Sequence, residues 1–268
     1  MKELLKIKSH LTNNPWLITQ ECYLTFSEAL DLLAEINIDE EESVSAYTDD
    51  SVAIIPIHGT IMRNVDAKVA KFFGITDTMA VQQLLQEALE DPKITHILLD
   101  IDSGGGSVTG VQETAEMVAS VNNEKPVYAV CEGMMASAAY WIGSQARAIV
   151  ASKSSKVGSI GVYLPVVDNS EYYKSQGIHV ELIKNKDATY KGAGFEGTSL
   201  TEEQKENLQE MVENIYEEFS GSVVQARPQM QKEAMQGQVF LGSRAKRMGL
   251  VDLVGNYSDA INLLIKEN

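Results

Sequence analysis

Cysteine is nearly missing from this 268-residue chain: Cys22 and Cys131 are the only two, and they stand far apart. That leaves no disulfide framework and no cysteine spacing suited to a metal, and it fits a reducing compartment. No apolar run reaches the roughly 18 residues needed to span a bilayer. The basic start (Lys2, Lys6, Lys8) is followed by no apolar stretch with a small-residue cleavage site, so it does not read as a signal peptide. Basic residues are also scarce, 22 against 38 acidic ones, for a net charge of −16. Such a balance argues against non-specific binding to nucleic acid or to an anionic membrane, a local basic patch excepted. The expectation is a soluble cytoplasmic protein. Internal repeats, low-complexity tracts, the Gly-x-Gly-x-x-Gly fingerprint, a P-loop lysine and a Gly-x-Ser-x-Gly elbow are all missing as well.

What is present is a large apolar share, 44% of residues, enough for a full core. Residues 1–50 read as a preface, with a helical pattern from Thr25 through Ile36, Ser27 as its N-cap, and an acidic linker at 39–43. From Val52 the chain alternates. Strands are expected at 52–57, 94–101, 126–130 and 148–151, and helices at 78–90, 107–121 and 138–146. Repeated β-α-β units imply a mainly parallel sheet covered by helices, with active sites at the carboxyl ends of its strands. The longest helix is expected over 201–224. Thr201-Glu202-Glu203-Gln204 resembles a capping box, and a stripe from Leu208 to Val223 is read as core or, second, as a subunit contact.

Ser137 carries the clearest chemical signal. The run Cys131-Glu132-Gly133-Met134-Met135-Ala136-Ser137-Ala138-Ala139-Tyr140-Trp141 sets it between a strand and a helix. A serine there stands at a helix N-terminus, where free N–H groups can stabilise an oxyanion. The same place suits a capping serine, which is the plainer role. Asp102-Ser103-Gly104-Gly105-Gly106-Ser107 follows another strand and opens another helix. Its glycines fit an oxyanion hole beside a substrate strand, a phosphate site, or simply a tight turn. Both loops follow parallel strands, so both belong at one end of the sheet.

A serine nucleophile needs a base. Of His10, His58, His96 and His179, only His58, at a strand end, is placed for a Ser-His-Asp triad. Lysine is the alternative, because burial favours the neutral amine that accepts the serine proton. Lys191 lies among small and apolar residues, whereas Lys184 and Lys186 lie beside Asn185 and Asp187 and look solvated.

Four ordered segments together resemble the signal peptide peptidase A family, the S49 serine peptidases, over about Val52 to Gly255. Asp102–Val108 is similar to the family's Ser-Pro-Gly-Gly-Ser-Val oxyanion loop, with Gly104 in the proline position, a change expected to loosen the loop. Gly133–Tyr140 is similar to the nucleophile segment, and Val157-Gly158-Ser159-Ile160-Gly161-Val162 to the segment that follows its helix. Gly237–Phe240, Ala245 and Met248–Asp252 are similar to the carboxyl-terminal signature.

The resemblance implies an α/β, Clp-protease/crotonase-like fold: a parallel β-sheet superhelix of β-α-β units flanked by helices. Residues 51–268 would form the peptidase domain, and 1–50 a helical extension with its linker. Carried over, Ser137 is the nucleophile, Lys191 the general base and Ser159 the group that orients the lysine. Lys186 remains a lesser candidate for the base. Gly106 N–H, with Gly105 as neighbour, and Ala138 N–H form the oxyanion hole. No metal, nucleotide or other cofactor is implied. Asn14-Pro15-Trp16-Leu17-Ile18-Thr19 and Ile57-His58-Gly59-Thr60-Ile61 are similar to phage-encoded members that process capsid or scaffold proteins; under that reading His58 is structural. A polypeptide substrate is then expected to add as a β-strand along 104–108. A homo-oligomer is expected, with the 201–224 helix and a terminal helix at 258–265 in its contacts. The alternatives are a cytoplasmic peptidase that degrades signal peptides, an acyl-CoA enzyme on the same fold, and a non-catalytic assembly protein.

Overall fold

The computed structural model describes residues 14–32, 47–49 and 51–266. The acidic stretch at 39–43, and residues 33–36 of the expected first helix, lie outside them. At the centre two long strands run parallel, β3 (Val52–Met62) and β5 (His96–Ser107), paired from Val52 opposite His96 to Ile61 opposite Gly106, with a one-residue register shift between His58 and Thr60. Their cores, Val52-Ala53-Ile54-Ile55 and Ile97-Leu98-Leu99, are uninterrupted apolar runs buried on both faces, as strands of a covered parallel sheet should be. The parallel layer continues through β4 (Ile75–Asp77) on the β3 side. On the β5 side it continues through β6 (Val127–Cys131), β8 (Ala148–Ala151) and β11 (Leu253–Val254). A short strand, β2 (Tyr47–Asp49), pairs antiparallel with β3.

The 12 residues of β5 serve two layers. Its first half pairs with β6, while Ser103 lies opposite Met135 of β7 (Met134–Ala136). A second layer follows: β9 (Lys156–Gly158) runs parallel to β7, and β10 (Val239–Leu241) antiparallel to β9. This turn of the sheet from one layer into the next sets the nucleophile segment beside the glycine run.

Of the preface, β1 (Trp16–Ile18) and α1 (Gln20–Leu32) are described, and both pack on this body, with Trp16 and Leu17 fully buried. Helix α1 begins earlier than its composition suggests. Thr19 accepts Tyr23 N–H on its carbonyl at 3.0 Å and Cys22 N–H on its hydroxyl at 3.4 Å, so Thr19 caps the helix and Ser27 lies inside it. Then come α2 (Ala67–Phe73) and α3 (Thr78–Glu90). The α3 helix has the expected bounds because Asp77 caps it and Val81, Leu85 and Ala88 form one buried stripe. Helix α4 (Val111–Glu124) starts four residues later than expected, since Gly104–Ser107 is strand and not turn.

All seven residues of α5 (Ala138–Ser144) are buried, so the helix after Ser137 runs through the core. After α6 (Ser170–Ser175) comes α7 (Glu202–Ala226), which opens with the expected capping box between Thr201 and Gln204. Its apolar stripe divides. Phe219 stacks on Trp141 at 4.8 Å and Val223 is buried, but Leu208, Val212 and Tyr216 are half-buried along a groove. The chain continues through α8 (Gly242–Arg247) to α9 (Tyr257–Lys266). Helix α9 turns Ala260 and Leu264 onto its own sheet, against Val52, Ile54 and Val150.

Candidate active site

Strand β7 stops at Ala136, and the chain turns sharply at Ser137, with φ 56° and ψ −120°. A non-glycine residue there carries strain of about 1–3 kcal/mol. Only Asn64, Ser137 and Ser159 have positive φ among the described non-glycine residues. Ser137 makes no side-chain capping bond to α5, so its hydroxyl does not fill the plain N-cap role. Its N–H donates to Gly158 O at 2.8 Å, and its own carbonyl accepts Trp141 N–H at 2.9 Å. The first N–H groups of α5, Ala138 among them, have no partner within the helix by construction. The serine therefore stands in a strained strand-to-helix elbow, beside backbone donors.

Ser159 comes to the same place through the sheet. Gly158 pairs with Ala136, so the residue after each strand end, Ser159 and Ser137, stand side by side. Ser159 has φ 54°, and its N–H donates to Gln238 O at 2.7 Å.

The glycine run is the third part. Ser103 is opposite Met135 in a parallel pair, so the glycine run begins beside the strand that leads to Ser137. Ser103 Oγ donates to Gly59 O at 2.5 Å and accepts the Gly105 N–H at 3.1 Å. Glycine is required here by close approach. A Cβ on Gly106 would lie 1.8 Å from Ile61 O, and one on Gly105 (φ 103°) would lie 2.0 Å from Leu17 O. Gly104 is equally confined: a Cβ would meet Cys22 Sγ at 2.3 Å, and its carbonyl accepts Thr19 N–H at 2.9 Å. The expected loosening at the proline position is therefore offset by packing from α1. Asp102 fixes the turn before β7, where its Oδ1 accepts Met134 N–H at 2.8 Å.

The edge expected to receive a substrate strand is not open. On its side away from β3, β5 pairs antiparallel with β1, Trp16 opposite Ser107, Leu17 opposite Gly106 and Ile18 opposite Gly105. This non-local pairing has no local signal in the sequence beyond the apolar run Trp16-Leu17-Ile18.

Candidate bases fall elsewhere. Lys191 is exposed, in the stretch 176–200 that contains no helix or strand. Among the described residues no hydrogen bond joins it to Ser137. Lys186 is exposed too, and Lys184 Nζ donates to Thr189 O at 2.7 Å. His58 Nε2 lies 3.2 Å from Asp100 Oδ2; that hydrogen bond raises the imidazole pKa above its ordinary value and holds the ring to β5. Lys156, near Ser159, is tied to Glu21 at 2.9 Å, and this partner raises the ammonium above its usual range. A groove of about 950 Å³ runs past Ser159, lined by Ile18, Thr19, Met134, Ser159 and Tyr163 on one side and by Leu208 and Val212 of α7 on the other; Ser137 lies beneath it, 1% exposed. Among the described residues no group of His, Cys, Asp and Glu could hold a metal ion, and no helix is long and apolar enough to cross a membrane.

Residues 119–268 match the model of peptidase family S49, and residues 61–153 match that of Clp protease. With the two-layer parallel topology, the second match gives the fold as Clp-protease/crotonase-like. The capsid assembly protease C of Escherichia phage lambda is 29% identical over 90% of this chain and 55% of its own length. Protease 4 of Salmonella typhi is 35% identical over 81% of this chain and 34% of its own. The head-tail preconnector protein GP5 of Enterobacteria phage P21 is 28% identical over 80% of this chain and 43% of its own. The chain thus spans about half the length, or less, of these curated relatives. A solved enoyl-CoA hydratase/isomerase family member is similar at TM-score 0.48 and 16% identity, over 85% of this chain and 76% of that one.

Proposed function

Because the chain belongs to peptidase family S49, we propose that it is a serine endopeptidase in which Ser137 is the nucleophile and Lys191 the general base. The observation that carries this reading is the elbow at Ser137, φ 56° and ψ −120°, with Ser159 beside it and the glycine run beginning beside β7. In the first step Ser137 Oγ attacks the substrate carbonyl and passes its proton to the lysine amine. The oxyanion accepts from Ala138 N–H and Gly106 N–H, with Gly105 shaping the approach. Collapse releases the amine of the departing segment, protonated by the lysine. Water, deprotonated by the same amine, then hydrolyses the acyl-serine. Ser159 Oγ orients the amine. This chemistry calls for no cofactor.

A lysine serves as base when burial favours its neutral form. In the single chain Lys191 is exposed, and so are Ile183, Tyr190 and Phe195 around it, Ile183 at 96%. A second copy that covers this stretch would bury the lysine and bring it to a serine, so the working enzyme is a homo-oligomer with shared sites. The phage relatives carry the names of a capsid assembly protease and a head-tail preconnector protein. On that basis the substrate is a capsid or scaffold polypeptide in the host cytoplasm.

Mixing tests both parts of this reading. Ser137→Ala and Lys191→Ala chains are each expected to leave casein and a co-expressed capsid protein intact. Unfolded and refolded together, they should recover part of the wild-type cleavage, because some sites would combine an intact serine with an intact lysine. Cleavage by Lys191→Ala alone would move the base to Lys186 or His58. Full inactivity of the wild type, with no labelling of Ser137 by a fluorophosphonate, would favour a non-catalytic assembly protein.

A further inference from the structure

Strand β1 occupies an unusual slot. On one side β5 is paired with β3, with a register shift between His58 and Thr60. On the other side β6 and then β7 take the first positions, β7 meeting β5 at Ser103, opposite Met135, before Thr19 N–H takes up Gly104 O. Past that point the gap between the end of β5 and the chain following β9 is filled by β1. It pairs with Gly105–Ser107 on one edge. On the other, Trp16 exchanges two backbone hydrogen bonds with Tyr163, at 2.9 and 3.2 Å. Ile18 is opposite Gly105, two residues past the contact of β5 with β7, and Ile18 and Thr19 line the groove that contains Ser159. Ser137 itself is only 1% exposed.

An extended polypeptide presented to this serine would need the place that β1 holds. It would pair with Gly105–Ser107 and run toward the elbow, carrying its carbonyl to Ser137. We propose that Trp16–Thr19 is a resident occupant of the substrate slot, an intramolecular strand that keeps the single chain latent until a substrate strand replaces it. This inference rests on Ser137 being the nucleophile. It also gives the class of substrate: an extended segment with an aromatic and two aliphatic residues in the order of Trp16, Leu17 and Ile18, whose side chains lie in buried surroundings. Two details fit a seat that can be vacated. Trp16 Nε1 and Tyr163 Oη are buried without hydrogen-bond partners, and the ion pair that joins α1 to β9, Glu21 with Lys156, is exposed.

A reversible lock in the full chain tests the proposal. Trp16 and Tyr163 form a hydrogen-bonded antiparallel pair, for which the Cα separation is about 5.5 Å, within reach of a disulfide. A Trp16→Cys, Tyr163→Cys double variant, with Cys22→Ser to remove the neighbouring thiol, is labelled at Ser137 with a fluorophosphonate and assayed on casein. Oxidation should lower casein cleavage and labelling by at least tenfold, and reductant should restore both. Equal rates in the two states would overturn the proposal while leaving the Ser137 reading intact. Should the double variant fail to fold, Trp16→Ala decides by sign: labelling faster than wild type supports an occupant, and slower or equal labelling shows a permanent wall. No labelling in any variant or in the wild type would overturn the nucleophile assignment and this inference with it.

Discussion

Arg227, at the C-cap of α7, is 3% exposed and holds together three parts of the molecule. Its Nε donates to Ser144 O at 2.9 Å, a second nitrogen donates to Ala146 O, and a third lies 2.8 Å from Asp252 Oδ2. That carboxylate oxygen also accepts Ile149 N–H at 2.8 Å. The guanidinium thus satisfies the last carbonyl of α5, the helix whose first turn carries Ala138, and one in the turn that follows it, and ties them to β8 and to the loop before β11. Arg227→Met keeps most of the stem but strands two carbonyls and a partly buried carboxylate. Removing one partner of a buried pair costs about 3–5 kcal/mol. For a chain of this size that lowers the melting temperature by roughly 10 °C. Urea and thermal unfolding of wild type and Arg227→Met, followed by circular dichroism, measure it. Asp252→Asn should cost less, because Asp252 is 33% exposed and solvent screens it. The double variant should cost less than the sum of the singles, since both remove one interaction. A loss below about 1 kcal/mol for Arg227→Met would refute this account of what anchors α5.

Other consequences follow from the backbone and from His58. Ser137→Gly should abolish cleavage yet raise stability by about 1 kcal/mol, because glycine relieves the positive φ, whereas Ser137→Ala should give no such gain; urea unfolding separates the two. Gly106→Ala should cost about 3 kcal/mol or more, since its Cβ would lie 1.8 Å from Ile61 O in the middle of the β3–β5 ladder. The pKa of His58 is raised in the folded chain, chiefly by its hydrogen bond to Asp100. Its stabilising contribution is therefore complete below the unfolded value near 6.5 and lost as pH rises through the higher folded value. The stability difference between wild type and His58→Gln should be larger at about pH 5.5 than at about pH 8.5; an equal or reversed difference would show that the pair with Asp100 is not formed in solution.

The sequence discloses local periodicity well and non-local pairing poorly. Helix α3 was legible over 78–90 because Val81, Leu85 and Ala88 recur at helical spacing, and the structure adds Asp77 as its cap. The capping box at Thr201 was legible for the same reason. Gly104-Gly105-Gly106 misleads. Three glycines suggest a turn, but here they are strand residues whose missing side chains admit Ile61 on one edge and Leu17 and Cys22 on the other. Neither neighbour is near in sequence. The elbow at Ser137 could be read from its strand-then-helix setting, and Ser159 from its motif, while their adjacency arises only from the pairing of Gly158 with Ala136. The base is hardest to place. Residues 176–200 form no regular element, although a strand-like pattern begins near His179, so nothing local determines where Lys191 points.

The most direct test of the central claim is to label the purified full chain with a fluorophosphonate and locate the adduct by peptide mass mapping, in wild type, Ser137→Ala and Lys191→Ala. One adduct per chain on Ser137, absent in Ser137→Ala and formed much more slowly in Lys191→Ala, is the predicted result. An adduct on another serine, or casein cleavage that survives Ser137→Ala, would contradict the assignment of Ser137 as the nucleophile.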